Sequence, residues 1–392
     1  MTQALEGIQV LDFSMGVAGP HAGMLCAQHG AQVTKIESPD GDWGRRLGQA
    51  HGDLTTYFTV YNRGKRSLAV DLKDAQALAA VQRLAVQADV IIDAFRPGVM
   101  KRLGLDYHTV KAANPRVVYL SVSGFGPVGP LVGAPATDAV LQSFTGLMSA
   151  NRDAAGQPQR VNMFLVDIVT GLYGFQAIMA ALLERHRTQL GKWIDCSLLK
   201  SALALQAPMM AVSMIDPDFE MVFVPLGAVR ARDGWLSITV LRDPQFTALC
   251  RVLGRDDFAD SEKYRTREQR VRHKDEVMTM LDEEFARRDI AELSALLTTA
   301  DVLHSRVLDY PATARHEQVS AVEAVVWTQE RGLDGDFPVV PIPGTAPGAA
   351  RGASPAPHIG EHSIDILKSA GLADAEIDRM AERGTVHLPA QG

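Results

Sequence analysis

The chain has 392 residues, of which 46% are hydrophobic and 22% charged, a composition that excludes a largely disordered protein. The 39 Lys and Arg residues against 46 Asp and Glu give a formal net charge of −7, which disfavours a general nucleic-acid or anionic-membrane binder. Cys26, Cys196 and Cys250 are too far apart for a zinc pattern or a disulfide framework. The N-terminus lacks a signal-peptide pattern, and the apolar stretches 168–183 and 202–215 are too short to span a bilayer. We therefore expect a cytoplasmic protein with no metal site and no nucleic-acid or membrane partner.

Short apolar runs alternate with helical patterns in the first half of the chain. The periodicity predicts strands at 8–13, 32–37, 67–72, 90–93 and 117–122, and helices at 20–29 and 74–88. Strands that alternate with helices predict an α/β fold with an open, Rossmann-like parallel sheet.

In the second half of the chain the regular alternation of strands and helices ends. A long helix over 165–187 carries a predicted core stripe made of Ile168, Leu172, Phe175, Met179 and Leu182, and a short strand follows at 192–195. A hairpin signal at 232–234 and amphipathic helices over 244–299 predict a smaller α+β domain. Residues 338–357 are rich in Pro, Gly and Ala and predict an extended linker, before short helices at 363–370 and 374–382.

The glycine motif at 124–129 matches the dinucleotide-binding pattern G-x-G-x-x-G after a strand. Pro127 and Pro130 flank its last glycine and no helix pattern opens there, so NAD or FAD binding is disfavoured. Loops at the predicted strand ends carry Lys73, Arg96 and Arg102, which could hold the phosphates of a nucleotide-like ligand.

Asp167 is the unusual carboxylate of this chain. It lies in an apolar run, Val-Asn-Met-Phe-Leu-Val-Asp-Ile-Val-Thr-Gly at 161–171, at the start of the long helix. From the local sequence alone it is either an ordinary helix cap or a reactive carboxylate near a helix N-terminus.

The chain resembles the family III CoA-transferases, typified by formyl-CoA transferase and the carnitine CoA-transferases. The resemblance rests on segments in the family order at 5–13, 18–20, 30–37, 62–67, 71–73, 95–98, 103–106, 114–116, 123–130 and 359–362. It implies that Asp167 is the catalytic nucleophile, and that coenzyme A is a thioester substrate with no separate cofactor. The implied CoA-binding residues, with Ser123 added from the glycine loop, are Val17, Ala18, Asp71, Leu72, Lys73, Ala94, Phe95, Arg96, Arg102 and Ser123.

The resemblance also implies an interlocked homodimer whose large domain uses both chain ends. The expected plan is a large domain at 1–200, a linker at 201–222, a small domain at 223–315, a linker at 316–362 and a return to the large domain at 363–392.

The expected activity is CoA transfer from an acyl-CoA, with succinyl-CoA as the expected donor, to a carboxylic acid through an aspartyl intermediate. Ser38 and Ala94 stand where formyl-CoA transferases carry Arg and Asn, and Val-Pro-Leu-Gly at 224–227 replaces their glycine-rich lid, which argues against oxalate and formate. An α-methylacyl-CoA racemase is the first alternative, but Thr137 precedes Asp138 where racemases carry His. A non-catalytic CoA-binding protein is the second.

Overall fold

The computed structural model describes residues 3–153, 155–216, 223–333, 335–345, 348 and 354–389. The chain divides into two compact units, one made of Met1–Met210 with Val322–Gly392 and the other of Ala211–Ala321. The larger unit therefore takes both ends of the chain, and the smaller unit comes from its middle.

The described residues form the following elements. The strands are β1 (Gln9–Asp12), β2 (Gln32–Glu37), β3 (Ala50–His51), β4 (Leu54–Thr55), β5 (Lys65–Val70), β6 (Val90–Asp93), β7 (Val118–Ser123), β8 (Trp193–Ser197), β9 (Leu226–Ala231), β10 (Gly234–Thr239), β11 (Leu303–Arg306), β12 (Val326–Gln329), β13 (Asp336–Val339) and β14 (Val386–His387). The helices are α1 (Ala18–Gln28), α2 (Thr56–Asn62), α3 (Ala75–Gln87), α4 (Val99–Arg102), α5 (Tyr107–Ala113), α6 (Asp138–Phe144), α7 (Leu147–Ala150), α8 (Leu165–Thr188), α9 (Leu198–Leu205), α10 (Ala207–Ile215), α11 (Asp243–Val252), α12 (Asp256–Ala259), α13 (Arg267–Arg272), α14 (Lys274–Ala286), α15 (Ile290–Thr299), α16 (Tyr310–Ala314), α17 (Glu317–Ala321), α18 (Ser363–Ser369) and α19 (Asp374–Glu382). Short 3-10 helices lie at Trp43–Arg46 and Glu262–Tyr264.

A seven-stranded sheet organises the larger unit, in the order β14-β5-β2-β1-β6-β7-β8. All neighbouring strands are parallel except the C-terminal β14, which pairs antiparallel with β5. The α/β fold with a mostly parallel sheet confirms the fold class predicted from the alternating strands and helices.

The central strands are buried on both faces because helices cover both sides of the sheet. Ile91 and Tyr119 point into a core that also contains residues of α3, α18 and α19. Ile92 and Leu120 point into the opposite core, with residues of α1 and α8. Alternate residues of one strand thus enter two cores, which explains why consecutive residues at the start of β6 and β7, Val90–Ile92 and Val118–Leu120, are all apolar.

The long helix α8 packs against α1 through small residues. A Cβ on Gly171 would lie 2.7 Å from the His21 Cβ and 2.8 Å from the Ala18 carbonyl oxygen, so the two helices can approach this closely only through a glycine. The predicted apolar core stripe is therefore wrong in part, since Leu172 is 46% exposed. The fully buried face is instead made of Val166, Thr170, Gly171, Gly174, Ile178, Ala181 and Arg185.

Helix α8 is also longer than its apolar stretch suggested. With 24 residues, α8 is long and apolar enough to cross a membrane. Helices α9 and α10 reach that length only when they are taken together, and the pair is bent by 67°. The expectation that no apolar segment reaches this length is therefore wrong for α8. One such helix is weak evidence for a membrane span, because core helices of soluble proteins have the same length and composition.

The smaller unit contains a three-stranded antiparallel sheet, in the order β11-β10-β9. The predicted hairpin is confirmed, since β9 ends at Ala231 and β10 begins at Gly234, which leaves Arg232 and Asp233 in the turn. Residues of α11, α14 and α15, among them Phe246, Phe285 and Leu293, pack in one core with those of β10.

Two predicted boundaries need correction. The strand expected at 67–72 begins two residues earlier and ends two residues earlier, as β5. The segment 338–357 is not extended linker throughout, because Pro338 lies within β13 and is paired with Trp327 of β12. Much of the remainder of that segment, at 346–347 and 349–353, lies outside the described residues.

Candidate active site

The strand order reverses direction at β1. Strand β2 pairs with one edge of β1, and β6, which comes later in the chain, pairs with the other edge. The loops that follow β1 and β6 therefore leave the sheet in different directions. Ligands of open α/β sheets bind in the crevice that such a switch point opens beyond the carboxyl ends of the strands. The loops at 13–17 and 94–98 border this crevice.

A buried lysine holds the start of α1 in place. The Lys65 Nζ donates to the Asp12 Oδ2 at 2.7 Å, to the Pro20 carbonyl oxygen at 2.8 Å and to the Asn62 Oδ1 at 2.9 Å. Burial lowers the pKa of Lys65 to about 8. The ammonium has a partner for each of its three protons, as a buried charge requires, and it ties β1 to the first turn of α1.

A second buried ion pair shapes the loop after β1. The Lys35 Nζ lies 2.7 Å from the Asp42 Oδ2 and donates to the Ser14 carbonyl oxygen at 2.8 Å, and the Gly16 N donates to the Asp42 Oδ1 at 3.0 Å. Gly16 has a φ of +78°, and a Cβ there would lie 2.0 Å from the indole ring of Trp43. Only glycine fits this position, so the loop packs directly beneath Trp43.

Asp138 caps the start of α8. Its Oδ2 accepts hydrogen bonds from the Val166 N at 2.7 Å and the Asp167 N at 3.3 Å, and its Oδ1 accepts from the Gln142 Nε2 at 2.6 Å. Asp138 is only 3% exposed. Its carboxylate therefore satisfies otherwise unpaired N–H groups of the helix and orients the first turn that carries Asp167.

Asp167 lies in the first turn of α8. Among the described residues no group donates to its carboxylate, although the side chain is half-buried. Burial, together with the nearby negative charge of Asp138, raises the pKa of Asp167 to about 7. A half-buried carboxylate that accepts no hydrogen bond from the described residues and has a raised pKa is a candidate reactive group.

A cavity of about 350 Å³ opens onto Asp167, and we call it the Asp167 cavity. It is lined by Met15, Val17, Ala18, Gly19, Trp43, Ala94, Val122, Ser123, Gly124, Ala136, Thr137, Asp138, Ala139, Arg160, Phe164, Asp167 and Leu198. The loops after β1, β6 and β7 all contribute to it, as the switch-point geometry requires.

A second cavity, of about 560 Å³, lies beside it, and we call it the Lys73 cavity. Its lining includes five residues predicted to bind CoA, namely Asp71, Leu72, Lys73, Phe95 and Arg102. Met15 lines both this cavity and the Asp167 cavity, so the two are neighbours.

A third cavity, of about 280 Å³, contains Arg96, Phe95 and Ser123 in its lining, and we call it the Arg96 cavity. Asp93 holds the loop after β6, which borders this cavity, because its Oδ1 accepts a hydrogen bond from the Phe95 N at 2.8 Å. Burial raises the pKa of Asp93 to about 6. Phe95 is shared with the Lys73 cavity, and Ser123 with the Asp167 cavity.

The structure thus distributes the predicted site residues over three adjoining cavities. Val17, Ala18, Ala94 and Ser123 lie with Asp167 itself, and the rest lie in the other two cavities.

Sequence reasoning did not identify Met15, Trp43, Asp138, Arg160 and Phe164 as members of the site. Asp138 had a weak signal, since it begins a short helix after a threonine, but its contact with α8 spans 29 positions of the chain.

No helix opens at the glycine motif 124–129, and the next helix after β7 begins at Asp138, which argues against dinucleotide binding there. Within the described residues, no three His, Cys, Asp or Glu side chains cluster closely enough to hold a metal ion.

Comparison with known proteins agrees with this geometry. The family model of CoA-transferase family III matches residues 5–363, so the chain belongs to this family. It is a CoA-transferase, an enzyme that moves CoA between an acyl-CoA and a carboxylic acid.

Individual relatives match most of the chain. It is 32% identical to the succinyl-CoA:glutarate CoA-transferase of Mus musculus, over 93% of this chain and 86% of the mouse protein. It is 33% identical to the acetyl-CoA:oxalate CoA-transferase of Acetobacter aceti, over 81% and 84% of the two chains. The crystal structure of a CAIB/BAIF family protein from Brucella suis superposes with a TM-score of 0.85 at 28% identity, covering 94% of this chain and all of that one.

Proposed function

We propose that Asp167 is the covalent nucleophile of this CoA transfer. The observation that carries the proposal is its half-buried carboxylate, which lacks a hydrogen-bond donor among the described residues and lines a cavity with the loops expected to bind CoA. Exchange of one thioester for another changes the free energy little, so the reaction needs no cofactor besides its CoA substrate.

In the first half of the reaction, an Asp167 oxygen attacks the thioester carbonyl carbon of the donor. The carbon–sulfur bond breaks, CoA leaves as a thiolate, and a mixed anhydride joins Asp167 to the donor acyl group. The thiolate then attacks the aspartyl carbonyl carbon. The anhydride carbon–oxygen bond breaks, the donor leaves as a free carboxylate, and an enzyme–CoA thioester remains.

The second half repeats these steps with the acceptor. A carboxylate oxygen of the acceptor attacks the aspartyl thioester, and the thiolate leaves again. The thiolate then attacks the acceptor carbonyl of the new anhydride, which releases the new acyl-CoA and restores the Asp167 carboxylate. No net proton is taken up or released, and backbone N–H groups of the 124–126 loop are candidates to stabilise the oxyanions.

CoA would lie across the neighbouring cavities. The Lys73 cavity, with Lys73 and Arg102 in its lining, suits the phosphates of the nucleotide, and Arg96 extends this basic character. Met15 lines both this cavity and the Asp167 cavity, which supports a path for the pantetheine arm from the nucleotide to the nucleophile.

The acyl groups are proposed from the relatives together with the site. We propose succinyl-CoA as the donor and a short carboxylic acid as the acceptor, which agrees with the name of the mouse relative. The Acetobacter relative has nearly the same identity, 33% against 32%, but is named for acetyl-CoA and oxalate, so sequence identity alone does not select the acyl group.

A racemase is disfavoured by the composition of the Asp167 cavity. Racemisation needs a second proton-transfer group on the opposite face of the substrate α-carbon, and no histidine is among the residues that line this cavity. His21 lies near α8, but its Nδ1 donates to the Ile168 carbonyl oxygen at 3.1 Å and burial lowers its pKa to about 4. A non-catalytic CoA-binding protein would not require a reactive Asp167.

We further propose an interlocked homodimer in the cytoplasm, without nucleic-acid or membrane partners. Helix α10 supports the dimer, since none of its residues is buried within the chain, and Met214 and Ile215 are 74% and 76% exposed. An apolar helix of this kind suits a subunit interface. The acidic net charge and the three buried free cysteines agree with a reducing, cytoplasmic setting.

Trapping of the intermediate tests the nucleophile. The enzyme is incubated with succinyl-CoA alone and then treated with hydroxylamine, which converts an aspartyl thioester or anhydride to a hydroxamate. Peptide mass spectrometry is expected to locate the modification on Asp167, and Asp167→Ala is expected to lose turnover by several orders of magnitude while retaining its fold. Modification of a different acid, or near-normal turnover in Asp167→Ala, would disprove the proposal.

A further inference from the structure

The Asp167 cavity contains one cation. Of its lining residues, only Asp138, Asp167 and Arg160 carry an ionisable side chain. Both oxygens of Asp138 already accept hydrogen bonds from its neighbours, so this carboxylate belongs to the support of α8. The cavity thus presents a reactive carboxylate and a guanidinium to whatever occupies it.

Arg160 is largely free to bind a ligand. Its Nη2 donates to the Asn162 Oδ1 at 2.6 Å, and no carboxylate among the described residues lies within ion-pair distance. A guanidinium has five N–H donors in a planar fork, so most of the donors of this side chain are available. A planar fork of this kind matches the two oxygens of a carboxylate.

The rest of the cavity provides an apolar surface. Met15 and Trp43 line the cavity and are 40% and 47% exposed, so both present apolar surface to its occupant. Phe164 also lines the cavity and contacts Tyr57 edge-on, with ring centroids 5.4 Å apart. These side chains suit the methylene groups of an aliphatic acid.

We propose that Arg160 binds the distal carboxylate of a dicarboxylic substrate, while the proximal carboxyl group reacts at Asp167. The inference rests on the proposed role of Asp167 and names the substrate class for the same site. Without a cation, the distal carboxylate of a dicarboxylic donor would be repelled by Asp138 and by ionised Asp167, and that of the acceptor, which meets Asp167 as a thioester, by Asp138, since like charges in a partly buried site interact unfavourably. The positive charge of Arg160 offsets this repulsion. Arg160 therefore determines the specificity of the site for dicarboxylic acids over monocarboxylic acids.

Steady-state kinetics with matched acceptors tests this role. Succinate and glutarate are compared with butyrate and valerate, which have the same chain lengths but lack the distal carboxylate. For Arg160→Gln we expect the KM for the dicarboxylates to rise about 10- to 100-fold, as expected for losing hydrogen bonds to a charged group. The KM for the monocarboxylates should stay within about twofold, and Arg160→Lys should restore only part of the preference, because lysine lacks the fork.

Arg152→Gln is the matched control. Arg152 lies in the same loop and carries the same charge, but it donates to the backbone carbonyls of Ser149 and Gly156 and does not line the cavity. The Arg152→Gln variant should show the same preference for dicarboxylates as the wild-type enzyme. An equal rise in KM for both acid classes in Arg160→Gln, or no change for either, would overturn the inference.

A binding measurement separates this inference from the proposed mechanism. Calorimetric titration of glutarate and butyrate into the CoA-saturated enzyme reports acid binding without turnover. If Asp167 is never trapped but glutarate binds the wild type at least tenfold more tightly than Arg160→Gln, the covalent mechanism fails and the role of Arg160 stands. If Asp167 is trapped and glutarate binds both proteins equally, the role of Arg160 is wrong and the mechanism stands.

Discussion

Asp167 combines two properties that oppose each other. A nucleophilic carboxylate must be ionised, yet burial and the charge of Asp138 raise its pKa to about 7 and so favour the neutral form. In the proposed mechanism, the ionised oxygen has no hydrogen-bond donor from the described residues to release before it attacks. If Asp167 is the nucleophile, as proposed above, the same residue sets both the reactivity of the site and its sensitivity to pH.

The first prediction concerns the pH dependence of turnover. Because Asp167 must lose its proton to attack, kcat/KM for the acyl-CoA should rise as the pH increases through about 7 and then level off. Asp138→Asn removes the neighbouring negative charge, so it should move this rising limb to lower pH. A limb that stays in place in Asp138→Asn would show that the charge of Asp138 does not control Asp167.

The second prediction concerns stability. The pKa of Asp167 in the folded protein is about 7, above its usual value of 3.8, so the folded state loses stability relative to the unfolded state as the pH rises through this range. Asp167→Asn removes this loss and should stabilise the protein at pH 8 by about 2–4 kcal/mol. Thermal unfolding of the wild type and of Asp167→Asn at pH 8 and at pH 4 measures the difference in stability, which should disappear at pH 4. An Asp167→Asn variant that is less stable than the wild type at pH 8 would contradict this prediction.

The third prediction concerns CoA binding. Arg102→Ala should raise the KM for the acyl-CoA much more than it lowers kcat, because Arg102 lines the Lys73 cavity and not the Asp167 cavity. The KM should rise about tenfold, the effect expected for losing charge-assisted hydrogen bonds to a phosphate. Lys111→Ala removes an exposed positive charge that lines none of the three cavities, and it should leave the KM unchanged. Equal effects of the two variants would mean that only net charge matters.

At the scale of elements, the contact between α1 and α8 links the loop proposed to bind CoA to the proposed nucleophile, Asp167. Both helices begin at the crevice, with Ala18 at the start of α1 and Asp167 in the first turn of α8. Gly171 allows the two helices to lie against each other, so the distance between the two halves of the site depends on this packing.

The fourth prediction tests that packing. Gly171→Val should destabilise the protein by about 3 kcal/mol and raise the KM for the acyl-CoA, because the added side chain collides with His21 and the Ala18 carbonyl. Gly133→Ala is the control, since a Cβ there meets nothing within 4 Å. Chemical denaturation and steady-state kinetics measure both effects. A stable Gly171→Val with wild-type KM would show that the helices can separate without cost to the site.

At the scale of the whole molecule, the chain leaves large apolar side chains on its surface. Helix α10 and the outer face of α8 are the main examples, with Leu172, Met214 and Ile215 all exposed. These residues lie far along the chain from Asp167 or outside the buried face of α8, so the site itself does not explain them. A partner subunit would remove this surface from water.

The fifth prediction follows from the proposed interlocked dimer. Interlocked subunits can separate only if they unfold, so dilution should not release a folded monomer. Sedimentation velocity at nanomolar protein concentration should still show a dimer, and its activity per subunit should be independent of dilution. A compact monomer that retains activity would exclude the interlocked arrangement.

Part of this structure follows from the sequence by itself. The bounds of β2, β6 and α19 agree with the sequence-based prediction, because short β-branched segments between loops and helix-starting residues are local signals. The start of α8, with Asp167 in its first turn, also follows from local sequence. The family, and with it the activity, follows from motifs whose order along the chain is specific.

Only the tertiary structure decided how these pieces meet. Asp138 caps α8 from 29 positions away, and Trp43 packs over Gly16, contacts that no local pattern encodes. The expected apolar stripe of α8 is only partly buried, with Phe175, Met179 and Leu182 packed against the core, whereas Gly171 and Gly174 are fully buried where α1 and the sheet approach most closely. Arg160 enters the candidate site for the same reason, since the fold of its loop places it in the lining of the cavity that also contains Asp167. Local periodicity determines elements, whereas the reactivity and selectivity of the site depend on side chains brought together across the chain.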